Sequence, residues 1–151
     1  MMREILFRGK QNEGRWVEGV YFKHDTVKVC FSSDDPKPRH LIIQDGFCDW
    51  GFEPPIHCVD VDPETVGQFT GRIDKNGKKV FEHDILQTFI VRADGTVEKC
   101  GVGIVQWWEN DQCYVLTTKE GYHIDDFGNY GRPEYYEVIG NIHDNPNLVE
   151  T

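Results

Sequence analysis

The sequence predicts a mostly β fold, built as two small β subdomains joined by a central hairpin, with little helix. Three observations lead there. Short runs rich in β-branched and aromatic residues recur along the chain, separated by Gly, Asn, Asp and Pro turn signals. No stretch beyond about ten residues holds a 3.6-residue apolar period. The segment VDVDPETVGQFTGRIDKNGKKVFEHDILQ, from Val59 to Gln87, carries the Asn76-Gly77 pair, the strongest short-range hairpin signal in the chain.

The elements follow in order. Arg3 to Arg8 alternates as a short strand with Ile5 and Phe7 on one face, and Gln11-Asn12-Glu13-Gly14 turns it. Trp16 to Phe22 reads as its partner and Thr26 to Phe31 as a third strand. Two prolines mark Asp34 to Pro38 as a loop, and His40 to Ile43 is a short apolar run. The aromatic-rich QDGFCDWGFEPP, Gln44 to Pro55, has no regular pattern. Asp62-Pro63 is expected to turn the chain, since proline fixes its own φ and restricts the residue before it. Val66 to Ile73 then alternates, and Gly67 and Gly71 within it point to a bulge or a close backbone approach. Asn76-Gly77 calls for a type I′ turn, with both central residues at positive φ, before the return through Phe81.

Further on, Ile85 to Arg92, Gly101 to Trp107, Cys113 to Thr117 and Tyr135 to Ile142 read as strands. Ala93-Asp94-Gly95-Thr96 and Glu109-Asn110-Asp111 turn the chain between them, and Tyr122 to Arg132 is a long acidic loop. The expected organisation is residues 1–61 as an N-terminal β subdomain and 62–151 as the hairpin with a C-terminal β subdomain.

Composition narrows the function classes. The 151 residues carry a net charge of −10, and the last 61 hold four Lys/Arg against eleven Asp/Glu. Such a surface repels a phosphate backbone, so direct nucleic-acid binding is disfavoured, and a basic protein partner or plain solubility is the better reading. No apolar run is long enough to span a membrane and the first residues lack the apolar core of a secretory signal, so a cytoplasmic protein is expected. Five cysteines at irregular spacing fit reduced thiols serving as small, mostly buried hydrophobes.

No motif names a reaction, a cofactor or a metal. His40, Cys48, His57 and Cys58 include zinc-type ligands but lack the short paired spacing of a tetrahedral site. Asp74-Lys75-Asn76-Gly77 opens like a calcium loop, yet lysines stand where further oxygen ligands belong. Glu82-His83-Asp84 places an imidazole between carboxylates, but in a strand the three point to alternate faces. The two serines, Ser32 and Ser33, lie outside any nucleophile setting, and no phosphate-binding glycine loop occurs. Trp107-Trp108 puts one indole inward and one outward if the strand continues through both. The outward one, assigned to Trp108, is expected with Asp125 and Asp126 to make a subunit or partner contact.

The ordered patches PETVGQFTG, DKNGK, FEHDI and YEVIGNIHDNP, with MREILFRGK at the start, resemble the YopX family of phage and prophage proteins. The resemblance is tightest over Asp62 to Ile85 and Tyr136 to Pro146. It implies a β-rich fold whose second half is similar to a small SH3-like barrel, with assembly into rings or other oligomers. It brings no activity and no functional residues. The family usually has glycine at the position of His83, which argues against a shared chemical role for that imidazole. The resulting expectation is a phage-associated accessory protein acting by non-covalent protein binding or self-assembly, as a homo-oligomer or with a host or phage protein. The alternatives are an enzyme whose site gathers Glu82, His83 or Asp125-Asp126, and a nucleic-acid-binding module.

Overall fold

The structure, a computed structural model, describes residues 4–26, 36–46, 55–125 and 133–149. Among these the chain forms eleven strands, all paired antiparallel: β1 (Phe7–Lys10), β2 (Trp16–His24), β3 (Arg39–Asp45), β4 (Ile56–Asp60), β5 (Asp62–Ile73), β6 (Lys79–Phe81), β7 (Asp84–Val91), β8 (Val97–Trp108), β9 (Cys113–Thr117), β10 (His123–Asp125) and β11 (Tyr136–Asn141). The only helical segments described are two short 3-10 turns, Pro133–Tyr135 and Pro146–Val149. The mostly β expectation holds. No helix of the described residues is long and apolar enough to cross a membrane.

Two sheets result, with strand orders β4-β3-β2-β1-β5-β6 and β10-β9-β8-β7-β11. The chain divides into two compact units, Glu4–Gln68 and the portion from Phe69 onward, so the division falls inside β5. Its first half pairs with β1 and its second half with β6. A break in register between Phe69 and Ile73, with Gly71 at φ +83°, marks the bulge that glycine in this strand foretold. The Thr70 hydroxyl bridges it, donating to Val80 O and accepting from Arg72 N–H. Asp62-Pro63 does not end the pairing, because Asp62 already stands opposite Lys10. Its Oδ1 accepts the Glu64 N–H, so the bend that proline imposes is absorbed as a local irregularity at the strand's start.

In the first unit the core is Val17, Ile42 and Val61, with Phe7, Tyr21, Val59 and Val66 packed against it. Strand alternation selects these residues: Tyr21, Ile42 and Val59 stand in one cross-strand row, while Val20, Ile43 and Cys58 form the next row on the opposite face. The run His40 to Ile43 is thus the middle of a central strand. The third strand expected at Thr26 to Phe31 lies outside the described residues beyond Thr26.

In the second unit the core is Val80, Leu86, Val105, Leu116 and Tyr136, supported by Tyr114, Tyr135 and Val138. Ile85, Ile104, Val115 and Thr117 are buried as well, on the opposite face of the same strands, so the centre of this sheet is covered on both sides. Each such aliphatic side chain contributes about 1.5–3 kcal/mol through removal from water.

Four hairpins are closed by one turn design. In β1–β2, β5–β6, β7–β8 and β9–β10 the first and fifth loop residues pair, Gln11 N–H with Arg15 O, Asp74 with Lys78, Arg92 with Thr96 and Thr118 with Tyr122. The fourth residue, always glycine, donates its N–H back to the first carbonyl. Gly14, Gly77, Gly95 and Gly121 all lie at φ between +80° and +87°. This is a type I turn followed by one left-handed residue, so the type I′ expectation at Asn76-Gly77 is corrected: Asn76 is not at positive φ. The Asp74 carboxylate decides the matter, since its Oδ1 accepts both Asn76 N–H (2.8 Å) and Lys78 N–H (2.9 Å). The fourth hairpin also brings β10 into what reads in sequence as a continuous loop.

Candidate functional site: the two edges of the five-stranded sheet

A β-sheet ends in strands with unsatisfied N–H and C=O groups, and the fate of its edges determines what it can bind. The five-stranded sheet ends in β11 on one side and β10 on the other, and the β11 side is closed over only part of its length.

The β11 edge is closed by the β5–β6 turn. Lys75 N–H donates to Tyr136 O (3.0 Å) and Val138 N–H donates to Asp74 Oδ2 (3.0 Å), so the turn lies along the strand as a partner would. Lys75 Nζ then reaches Glu137 at 2.6 Å and sits 4.1 Å from the centre of the Phe89 ring. Asp74 is 1% exposed. Burial is the strongest single influence on its carboxyl and would raise the pKa, but the N–H groups of Val138, Lys78 and Asn76, helped by the Lys78 charge, outweigh it and hold the pKa below the ordinary value. Its oxygens are committed to backbone donors, so DKNG is a structural device and offers no calcium loop.

Glu82-His83-Asp84 occupies the neighbouring corner between β6 and β7. Instead of continuing a strand, Glu82 and His83 form a turn, and His83 takes φ +69°. A left-handed conformation is strained for a side-chain-bearing residue and natural for glycine. Asp84 turns inward, its Oδ2 accepting Phe81 N–H at 2.8 Å. The His83 backbone bridges β8 and the C-terminal turn, donating to Val105 O (2.9 Å) and accepting from Ile142 N–H (3.0 Å). Its Nδ1 lies 3.2 Å from His143 Nε2. Asn141 organises that turn, its Oδ1 accepting the N–H groups of His143 and Asp144. DKNGK, FEHDI and YEVIGNIHDNP therefore meet at one junction, and what they do there is hold strands together.

Beyond the end of β11 the same side of the sheet is uncovered among the described residues. Strand β7 pairs with β8 out to Val91–Val97, but β11 reaches only to Thr88. Among the described residues no strand pairs with the outer edge of Phe89–Val91. At the root of this overhang the register shifts between Gln87 and Phe89, and the Thr88 hydroxyl holds the irregularity by bonding to both N–H and C=O of Gly101. Ile90 is 52% exposed and Val97 59%. Beside them lies a cleft of about 470 Å³ lined by Thr88 to Val91, Cys100, Ile124, Tyr135 and Tyr136. Its walls are mainly apolar side chains.

The remaining sequence candidates are dispersed. His40 Nδ1 pairs with the Tyr21 hydroxyl at 2.6 Å, and Cys58 faces the other side of the sheet; Cys48 lies outside the described residues. Among the described residues no group of three or more His, Cys, Asp or Glu side chains converges to hold a metal ion. Cys58 and Cys100 are exposed and Cys113 half-buried, which corrects the expectation of buried thiols. Neither indole of Trp107-Trp108 enters the core: Trp107 is 44% exposed with its ring edge-on to Tyr114, and Trp108 is half-buried edge-on to His123. The strand end projects past the buried centre, so alternation there separates two surfaces and no interior. Asp125 ends β10, whose first residue carries the imidazole against Trp108, and Asp126 lies outside the described residues. Among the described residues, Glu82 and His83 line neither the 470 Å³ cleft nor a second of about 610 Å³. Sequence reading missed the overhang; the exposed-type pattern Ile90-Val91 before a turn was the available signal.

The fold and its edges define an all-β protein whose motif residues serve architecture. The family model described as YopX protein matches residues 6–150, nearly the whole chain, and the chain belongs to the YopX family. No curated protein matches it.

Proposed function

We propose that this chain is a phage-associated accessory protein that works by non-covalent binding in the bacterial cytoplasm, joining copies of itself or a phage or host protein through the β7 edge that β11 leaves uncovered in the five-stranded sheet. The observation that carries this reading is the β7 overhang: three residues of strand edge without a partner among the described residues, flanked by exposed Ile90 and Val97 and an apolar cleft. Such an edge accepts an additional strand by main-chain hydrogen bonding, and adjacent apolar side chains add burial. Trp108, at the other end of β8 and beside His123, is offered together with Asp125 and Asp126 as a second, separate contact. The acidic C-terminal part of the chain favours a partner surface with basic residues around an apolar centre.

The test is a tagged pull-down from host lysate, with and without nuclease, run beside light scattering of the purified chain. Ile90→Asp places a charge on the overhang without entering the core and is expected to abolish self-association or capture of a specific protein. Trp108→Ala should weaken the second contact. Unchanged assembly and capture in both variants would remove the proposal, as would capture that disappears with nuclease.

A further inference from the structure

We propose that His83 and His143 form a proton-operated latch that fastens the C-terminal turn to the β6–β7 corner at neutral pH and loosens it on acidification. Their ring nitrogens face each other, His83 Nδ1 to His143 Nε2 at 3.2 Å, with the ring centres 5.1 Å apart and the planes 75° to one another. An N–H···N bond needs one donor and one lone pair. Two neutral imidazoles supply both. One added proton still leaves a lone pair and makes the bond charge-assisted. A second added proton places N–H against N–H, and two cations at this distance repel. The first proton is therefore taken up readily and the second resisted, as coupled sites require.

Of the titratable groups on the packed elements, Asp84 already accepts the Phe81 N–H and Asp144 Oδ2 accepts the Asn141 amide. Glu82 stands beside His83 in the turn and favours the first proton; β8 meets the corner through Val105, whose neighbours Ile104 and Gln106 are uncharged. Both histidines sit on positions fixed by backbone bonds, Ile142 N–H to His83 O and His143 N–H to Asn141 Oδ1, so loss of the ring contact removes one of the ties between the corner and the turn. That turn leads directly to Leu148 and Val149, which wall the 610 Å³ cleft against Gly101, Val102 and Thr117. Loosening it opens that cleft.

The experiment is a ring-nitrogen NMR titration of the full chain from pH 8 to 5, in the native sequence, H83G and H143Q, with melting curves on the same samples. His83 and His143 are expected to titrate jointly in two steps, and each variant should leave a single step. H83G keeps the fold because glycine relaxes the φ +69° corner. Between pH 7 and pH 5 the native protein should lose about 3 °C more in melting temperature than H83G. Independent single-step titration of the two rings, or the same pH dependence of melting in all three proteins, would overturn the latch.

Discussion

The turns at Asp74–Lys78 and Arg92–Thr96 have the same backbone, the same closing hydrogen bonds and a left-handed glycine in the same place, at φ +80° and +84°. Each contains an aspartate whose carboxyl is held below its ordinary pKa. What surrounds them differs. Asp94 serves its own loop, its Oδ1 accepting the Thr96 hydroxyl (2.6 Å) and N–H (2.9 Å), in full contact with water. Asp74 serves its loop and also Val138, 64 residues away, at the edge of another sheet. Local turn chemistry thus sets the shape of a hairpin tip, and one added acceptor turns a tip into a strap.

The largest expected difference follows from removing the carboxylates. Asp74→Ala leaves three part-buried backbone donors without their acceptor and should destabilise the protein by about 2 kcal/mol, since an unsatisfied buried group costs about 1–3 kcal/mol and water can reach part of this set. Asp94→Ala hands its donors to water and should leave the denaturation midpoint nearly unchanged. Denaturant titration of both variants decides; equal losses would mean that the Val138 bond adds nothing.

Acid sharpens the same contrast. A carboxylate with a lowered folded pKa stabilises above its unfolded value and loses that contribution as pH falls through the folded one. Asp74 therefore supports the fold at neutral pH and down to about pH 4, and its share is lost on further acidification. Asp74→Asn removes that dependence: the gap in stability between the native chain and the variant should be wide at pH 6 and narrow progressively below pH 4. A gap constant across that range would show that the carboxylate charge is irrelevant to the strap.

How far these features are legible in the sequence depends on distance along the chain. The glycine-closed turns at Gln11 to Gly14 and Asp74 to Gly77 can be read locally, and Cys113 to Thr117 matches β9 at both ends. The turn type at Asn76-Gly77 could not be read from the pair alone, because the Asp74 side chain overrides the preference of the two central residues. The Asp74–Val138 and His83–His143 contacts join residues 64 and 60 positions apart, and nothing in either stretch announces the other. The patches carrying the family resemblance were visible while their reason was not: they look like candidate chemistry, and the fold uses them as fasteners. The Trp107-Trp108 expectation failed in a related way, since alternation predicts two faces but not whether the sheet centre extends far enough to bury one.

A smaller effect asks whether the shared backbone is energetically shared. Gly77→Ala and Gly95→Ala each force a left-handed alanine, and a Cβ at either position meets nothing within 4 Å. Conformational strain is then the sole cost, about 1 kcal/mol in both. Matching losses would confirm that the loops are equivalent and that their difference lies wholly in the aspartates; a greater loss at Gly77 would place part of the strap in the backbone itself.

The smallest effect concerns the ion pairs that accompany each turn. Lys75 meets Glu137 at 2.6 Å with both side chains about one-third exposed, 34% and 33%, and the same ammonium lies over Phe89. Arg92 meets Glu98 at 2.7 Å with both more than half exposed. Water and salt screen the second pair more effectively, and holding two long exposed side chains together offsets most of its attraction. A double-mutant cycle should accordingly give a larger coupling for Lys75–Glu137 than for Arg92–Glu98, with the former surviving added salt better. The aromatic contact supplies the discriminating control: Lys75→Met keeps the stem against Phe89 while removing the charge. If Lys75→Met matches Lys75→Ala in stability, the charge alone secures the turn to β11; if it retains most of the native value, the closure of this sheet edge rests on packing and backbone bonds, with the ion pair a minor addition.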